Sequence, residues 1–197
     1  MITDSSPYFS VKHDFKVYLT AWPDNAPIPT EGELTLMLPL GLQLISDVKS
    51  LEADCLLQLR HLDDEAKTVV EYLKLQSKKV DLVLQHVLER EAHDGELHQG
   101  KFFGGSGIRI IGATQFDVGK QFKLTLHIKE ELVALLCFAQ VTATQVIEAK
   151  DVEPQTGYLT ELEFSVITDT DVEQLVKASL SVQQKQLKQR KLAKKAT

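Results

Sequence analysis

The sequence predicts an α+β fold, a small antiparallel β-barrel interrupted by long helices and closed by one more helix. Three observations predict it. Strand-like alternation dominates before residue 21 and after residue 95, as in FKVYLT and QFKLTLHI. Between them, residues 40–93 hold one glycine, Gly41, and are rich in leucine, glutamine and charge. After YLTELEFSVI the pattern returns to helical spacing.

The elements follow in chain order. Residues 8–20 read as a first strand, and AWPDNAPIPT, with three prolines, as a connection. With Ile45 at an a position, the a set is Ile45, Glu52, Leu59, Ala66, Leu73, Val80 and Val87. The d set is Val48, Cys55, Leu62, Val69, Gln76, Val83 and Arg90, the 3-and-4 spacing of a coiled-coil seam. Asp63-Asp64 reads as an N-cap, which divides the stretch into helices over about 43–61 and 64–92. The second helix also carries Val70, Tyr72, Leu75, Leu82, Leu84 and Leu88. So wide a stripe needs several partner helices, or burial against a domain, and both self-association and a hairpin packed on its own barrel satisfy it. Ala66, Val69, Leu73, Gln76, Val80, Val83 and Val87 are the candidate assembly residues, with Gln76 setting register.

Beyond residue 96, KFFGGSGIRIIG reads as a strand whose glycines form a β-bulge. LVALLCFAQVTATQVIEA is long enough for one bent strand, Asp151–Gly157 reads as a turn, and YLTELEFSVI as a further strand. Thr170-Asp171-Val172-Glu173 is read as a capping box that opens a last helix with Val172, Leu175, Val176 and Ser179 on one face. That helix is expected to lose its apolar stripe after about Leu187 and run out into a basic tail. The organisation is therefore residues 1–30 (first strand and linker), 31–95 (helical insertion), 96–184 (remaining barrel and closing helix) and 185–197 (tail).

The chain of 197 residues has 22 Lys+Arg against 28 Asp+Glu, a formal charge of −6. From Lys185 onward there are six basic residues and no acids, so a basic tail follows an acidic body. The acidic balance excludes a nucleic-acid binder that relies on a broad basic face, so no DNA partner is expected. No stretch is apolar enough to span a membrane, and MITDSSPYFS lacks the features of a secretory signal. Cys55 and Cys137 form no CxxC unit, suit a reducing compartment and read as small core residues, so a cytoplasmic location is expected. His13, His61, His86, His93, His98 and His127 make neither HxxxH nor HExxH, and no nucleophile stands beside a base. No metal, cofactor or enzymatic activity is expected. Trp22 is expected to plug one end of the barrel.

After residue 95, the order FFGGSGIRI, VGKQFKLTLHI, LCFAQVTATQ and GYLTELEFSVITDTDVEQLVKASLSVQQ resembles the PilZ family, bacterial cyclic di-GMP receptor domains with a six-stranded barrel and a closing helix. KHDFKVYL stands where that family has its arginine motif. An insertion containing YLKLQSKKVDLVLQHVL is similar to the atypical tetrameric PilZ subfamily, whose inserted helices form a central coiled coil. The resemblance implies a homo-oligomer, a tetramer, that acts through protein partners in cyclic di-GMP-linked control of motility, biofilm or envelope functions. It also implies a nucleotide site, at which the motifs have changed. R-x-x-x-R is here Lys12-His13-Asp14-Phe15-Lys16, and [DN]-x-S-x-x-G is Phe102-Phe103-Gly104-Gly105-Ser106-Gly107. Lysine lacks the planar fork of arginine, Phe102 accepts no hydrogen bond and Gly104 has no hydroxyl, so direct binding is weak or absent. Lys12, Lys16, Ser106, Gly107 and Arg109 are the candidates for its phosphate side. Arg109 has two readings, a phosphate contact near Lys12 and Lys16 or a pair with surface acids. A ligand-free scaffold held by its coiled coil is the alternative function.

Overall fold

The computed structural model describes residues 10–59, 67–88, 93–148 and 156–195. Its strands are β1 (Ser10–Ala21), β2 (Glu96–Gly104), β3 (Gly107–Gly112), β4 (Gln121–Ile128), β5 (Val133–Glu148) and β6 (Thr156–Val166). Its helices are α1 (Glu31–Leu36), α2 (Leu40–Leu59), α3 (Lys67–Leu88) and α4 (Asp169–Lys195). The chain divides into two compact units, one of residues 1–36 and 93–197, the other of residues 37–92.

The first unit is a closed antiparallel barrel with strand order β1-β2-β3-β6-β5-β4. Closure depends on β1, which pairs with β2 through Val17↔His98 and with β4 through Val17↔Leu126. Alternation then fills the barrel: Val11, Phe15, Val17, Phe103, Ile108, Ile110, Leu124, Leu126, Leu135, Cys137 and Leu162 are all buried. Leu175, Ala178 and Val182 of α4 belong to the same core, so the closing helix is part of the fold. Burial pushes the Cys137 thiol far above its ordinary pKa, which leaves it an inert core residue.

Several boundaries move from their sequence positions. The Gly104–Gly107 stretch is a hairpin turn between β2 and β3, not a bulge within one strand. The register shifts of β1 and β2 lie elsewhere, between Lys12 and Phe15 and between Gly100 and Phe102. The cap of α4 is Thr168 rather than Thr170: the Asp171 amide donates to Thr168 Oγ1 at 3.2 Å, and Thr168 Oγ1 donates to Asp171 Oδ2 at 2.8 Å. Along that helix Leu175 and Ser179 are buried, but Val176 is 41% exposed. The basic tail does not leave the helix, which continues to Lys195.

One helix at the start of 31–95 went unread, and Trp22 sits elsewhere than expected. A capping box, in which the Thr30 amide donates to Glu33 Oε2 at 2.8 Å, starts α1, and that helix belongs to the barrel unit. These bonds to Thr30 hold the Glu33 carboxyl below its ordinary value. Trp22 does not plug the barrel end. Its ring meets Phe138 edge-on at 4.9 Å, and Phe138 points out of the barrel wall because its neighbours Cys137 and Ala139 point in.

In the second unit, α2 and α3 replace the expected 43–61 and 64–92; Asp63, Asp64 and Ala66 lie outside the described residues, as do 151–155 of the expected Asp151–Gly157 turn. Cys55 is exposed rather than a core residue. On α3 the sheltered side is Val70, Ser77, Asp81, Leu84 and Leu88. The predicted seam lies beside it: Val69, Leu73, Val80, Val83 and Val87 are between 43% and 62% exposed.

Gly100 and Gly107 are among the glycines fixed by close approach. A Cβ on Gly100 would stand 2.2 Å from the Phe15 ring, and one on Gly107 would stand 2.3 Å from the Leu162 carbonyl oxygen. Gly107→Ala is therefore expected to lower unfolding free energy by about 2 kcal/mol or more, because backbone must shift, and Gly100→Ala by about 1–3 kcal/mol, because the buried ring must move. Denaturant unfolding of both variants measures this, and wild-type midpoints would show that the strands tolerate the added methyl.

Candidate functional site

Strand register assembles the site on the outer wall. Lys12 pairs with Phe102, Phe102 with Arg109 and Arg109 with Glu161, one row across β1, β2, β3 and β6. The adjacent row, Val11, Phe103, Ile108 and Leu162, is buried inside, so the Lys12 row points outward. In the outer row the Arg109 guanidinium lies 5.5 Å from the centre of the Phe102 ring, a cation–π contact. Arg109 Nε donates to Glu161 Oε1 at 3.3 Å. With 9% of the residue exposed, Arg109 is held between an aromatic face and a carboxylate. Arg109 is thus paired with an acid of the neighbouring strand.

The other candidates are placed unequally. Lys12 is exposed, and its carbonyl accepts from Gln186 Nε2 of α4 at 2.6 Å. Lys16 lies in the next outward row, paired with Gln99 and His127, across the bulges of β1 and β2. Those bulges are tied together by Lys101 Nζ, which donates to Asp14 Oδ1 at 2.8 Å. Ser106 and Gly107 sit at the hairpin tip. The Ser106 carbonyl accepts from the Phe164 amide at 2.9 Å, and Gly107 opposes Glu163. The fold thus brings Lys12, Phe102 and Arg109 into one row, with Lys16 beside it, and spends Ser106 and Gly107 on the turn.

Acidic groups surround this wall. His13 and Glu130 meet at 3.0 Å between Nε2 and Oε2. Burial pushes the Glu130 carboxyl up, but the hydrogen bond from its own amide and then the one from His13 hold it below its ordinary value. Lys185 of α4 donates to the largely buried Glu131 at 2.7 Å. Sequence reading missed Glu161, Glu130 and Glu131 as partners, since only strand register and the 3-10 turn Lys129–Glu131 bring them here.

A second cluster lies further along β1. The Tyr18 and His93 rings meet at a tilt of 36° with centres 4.3 Å apart, and His93 meets His127 at 4.6 Å. Among the described residues no group of three His, Cys, Asp or Glu side chains is placed to hold a metal ion. Among them, too, no helix is long and apolar enough to cross a membrane.

The fold is that of a PilZ-like domain bearing a helical insertion. Over 92% of this chain and 91% of the other, with a TM-score of 0.52 and 12% identity, it is similar to a pathogenic protein from Xanthomonas campestris described as a tetrameric PilZ domain self-assembled through an unusual helical bundle. The PilZ domain of YcgR from Escherichia coli, solved with cyclic di-GMP, matches 51% of this chain and 83% of its own length at 13% identity and a TM-score of 0.42. MrkH from K. pneumonia matches 50% of this chain at 17% identity and a TM-score of 0.42, and the match spans 45% of MrkH. No protein-family model matches the sequence, and comparison with curated proteins finds no match. The six-stranded barrel and closing helix that the PilZ resemblance implies are both present.

Two measurements check this site. Replacing Glu161 by Gln leaves Arg109 without the anion that neutralises it, so inorganic phosphate is expected to perturb the Arg109 Nε–H NMR signal in Glu161→Gln and not in wild type. An identical response in both would show that Glu161 does not guard the cation. His98, packed 5.6 Å from Phe116, has its pKa lowered by burial, against the weaker opposing charge of Glu96. The folded state therefore favours the neutral ring, and the unfolded chain takes up a proton first as pH falls below the ordinary value of 6.5. Stability is expected to decline through that window in wild type and to decline less in His98→Phe, measured by unfolding at pH values above and below it.

Proposed function

We propose that this protein is a non-enzymatic, oligomeric PilZ-like signalling module, acting through protein partners in cyclic di-GMP-linked regulation, with direct nucleotide binding weak or absent. The observation that carries the reading is the seam of α3. Its apolar residues are exposed within one chain, on the side next to the sheltered one, so the α2–α3 pair does not satisfy them. A further copy of the same seam would, with Gln76 pairing in its middle. The fold shared with a protein described as self-assembled through a helical bundle supports the same arrangement. Candidate assembly residues are Ala66, Val69, Leu73, Gln76, Val80, Val83 and Val87; Lys12, Lys16, Ser106, Gly107 and Arg109 are the candidate ligand residues.

One observation favours the alternative, a ligand-free scaffold. Arg109 is already bound on its face by Phe102 and at its edge by Glu161, so a phosphate would have to displace a carboxylate from a largely buried cation.

Leu73→Asp, Val80→Asp and Val83→Asp together are expected to convert the assembly to monomers with the barrel still folded, read by light scattering and circular dichroism. Unchanged particle mass overturns the seam assignment. Calorimetric titration with cyclic di-GMP is expected to show no low-micromolar binding; heat in that range would make the chain a receptor and overturn the ligand-poor part of the reading.

A further inference from the structure

Helix α4 has two sides. Leu175, Ala178, Ser179 and Val182 are buried, and Val182 is the last buried one among the described residues of the helix. Gln186 is the last that is partly sheltered, and residues 187–193 are exposed throughout. Away from the buried side, Val176, which flanks it beside the turn at Gly105, and Leu180 and Leu187 are 41%, 47% and 48% exposed, and their spacing of four and seven keeps them on one line. The same line continues through Arg190 and Lys191, with Lys188 flanking it. Across 187–195 there are five basic residues and no acid.

The body to which this segment is joined is acidic, and distance separates the two fields. Nine helical residues extend about 13 Å at ~1.5 Å each, longer than the ~8 Å over which physiological salt screens charge. The end of α4 therefore presents its own positive field. Its chemistry selects among anionic partners. Four of the five cations are lysines, point charges without the fork that reads a carboxylate or a phosphate in two bonds. There is no aromatic residue in α4 to anchor a protein hot spot or stack on a base. Val176, Leu180 and Leu187 are strung along the helix, an arrangement that suits a continuous apolar medium and that nucleic-acid phosphates leave uncovered.

We infer that the outward face of α4 is a peripheral docking surface for an anionic lipid bilayer, with the basic end meeting headgroup charge and Leu180 and Leu187 reaching the interfacial layer. This inference stands apart from the assembly reading, since it uses no residue of α2 or α3.

The test is co-sedimentation of the full chain with phosphatidylcholine vesicles, with or without about one third phosphatidylglycerol, at low and high salt. The expected result is sedimentation with the anionic vesicles only, weakened by salt. Lys188→Glu, Arg190→Glu and Lys191→Glu together should reduce vesicle affinity at least about tenfold. Leu180→Ser with Leu187→Ser should reduce it further at high salt than at low salt. These side chains lie on the exposed side of α4, so unchanged melting of the variants checks that the fold is intact. Absence of sedimentation, equal binding to neutral vesicles, or no effect of the charge reversal overturns the inference. So does competition by polyglutamate or duplex RNA at concentrations below those at which the vesicles bind, since α4 would then prefer a protein or a nucleic acid.

Discussion

Barrel closure through β1 is the constraint on which the rest of the structure depends. β1 contributes pairing on both edges, to β2 and to β4, so a shift in its register would expose the core and displace every outward side chain around the ring. The bulges of β1 and β2 are part of that solution. They lie on paired strands, joined by Lys101 and Asp14, and the ring of Phe15 fills the space that Gly100 leaves open just beside them. At the other end of β2, the Gly104–Gly107 turn brings β3 against β6 so closely that Gly107 has no room for a side chain.

The same register decides the chemistry of the outer wall. Because inward positions are claimed by Val11, Phe103, Ile108 and Leu162, the adjacent row must carry Lys12, Phe102, Arg109 and Glu161. Phe102 and Glu161 hold the arginine against the protein's own outer wall. A largely buried guanidinium is costly unless paired, and here the pairing is internal. The wall is therefore more self-satisfied than a site awaiting an anion, while Lys12 and Lys16 remain exposed on β1.

The strands were legible because alternation and burial are the same fact seen twice: FKVYLT and QFKLTLHI reveal their faces in the order of their letters. The heptad of α3 marks an apolar row by its spacing, but that row lies beside the sheltered side of the helix and is exposed within one chain. What sequence could not reveal was register. Glu161 lies far along the chain from Arg109, and nothing in either residue announces that β3 and β6 will align them. The glycine stretch was misplaced because a bulge and a two-residue turn both draw on glycine's conformational freedom. The cap of α4 was misplaced because both Thr168 and Thr170 begin a threonine-to-acid spacing of three, and only the end of β6 chooses between them. Cys55 shows the limit of heptad reading, since a d position is buried only when a partner covers it.

The two units also differ in how they satisfy their apolar surface. The barrel hides its large side chains within one chain, down to the fully enclosed Phe103 and Leu124. Unit 37–92 leaves a row of valines and leucines in water at helical spacing, and a helix that repeats such a row from Val69 to Val87, about five turns, is a surface of defined width rather than scattered exposure. Each seam residue removed from water contributes on the order of 1 kcal/mol, so a covering helix gains from all of them together and from none strongly alone. Gln76, half-buried in the middle of that row, weakens the gain and restricts it. Its amide is satisfied only when a polar partner lies opposite, and a second copy of the same seam in register supplies one where an arbitrary apolar surface does not. On the proposed assembly, strength comes from the valines and leucines, and the choice of partner from the one residue that spoils their pattern.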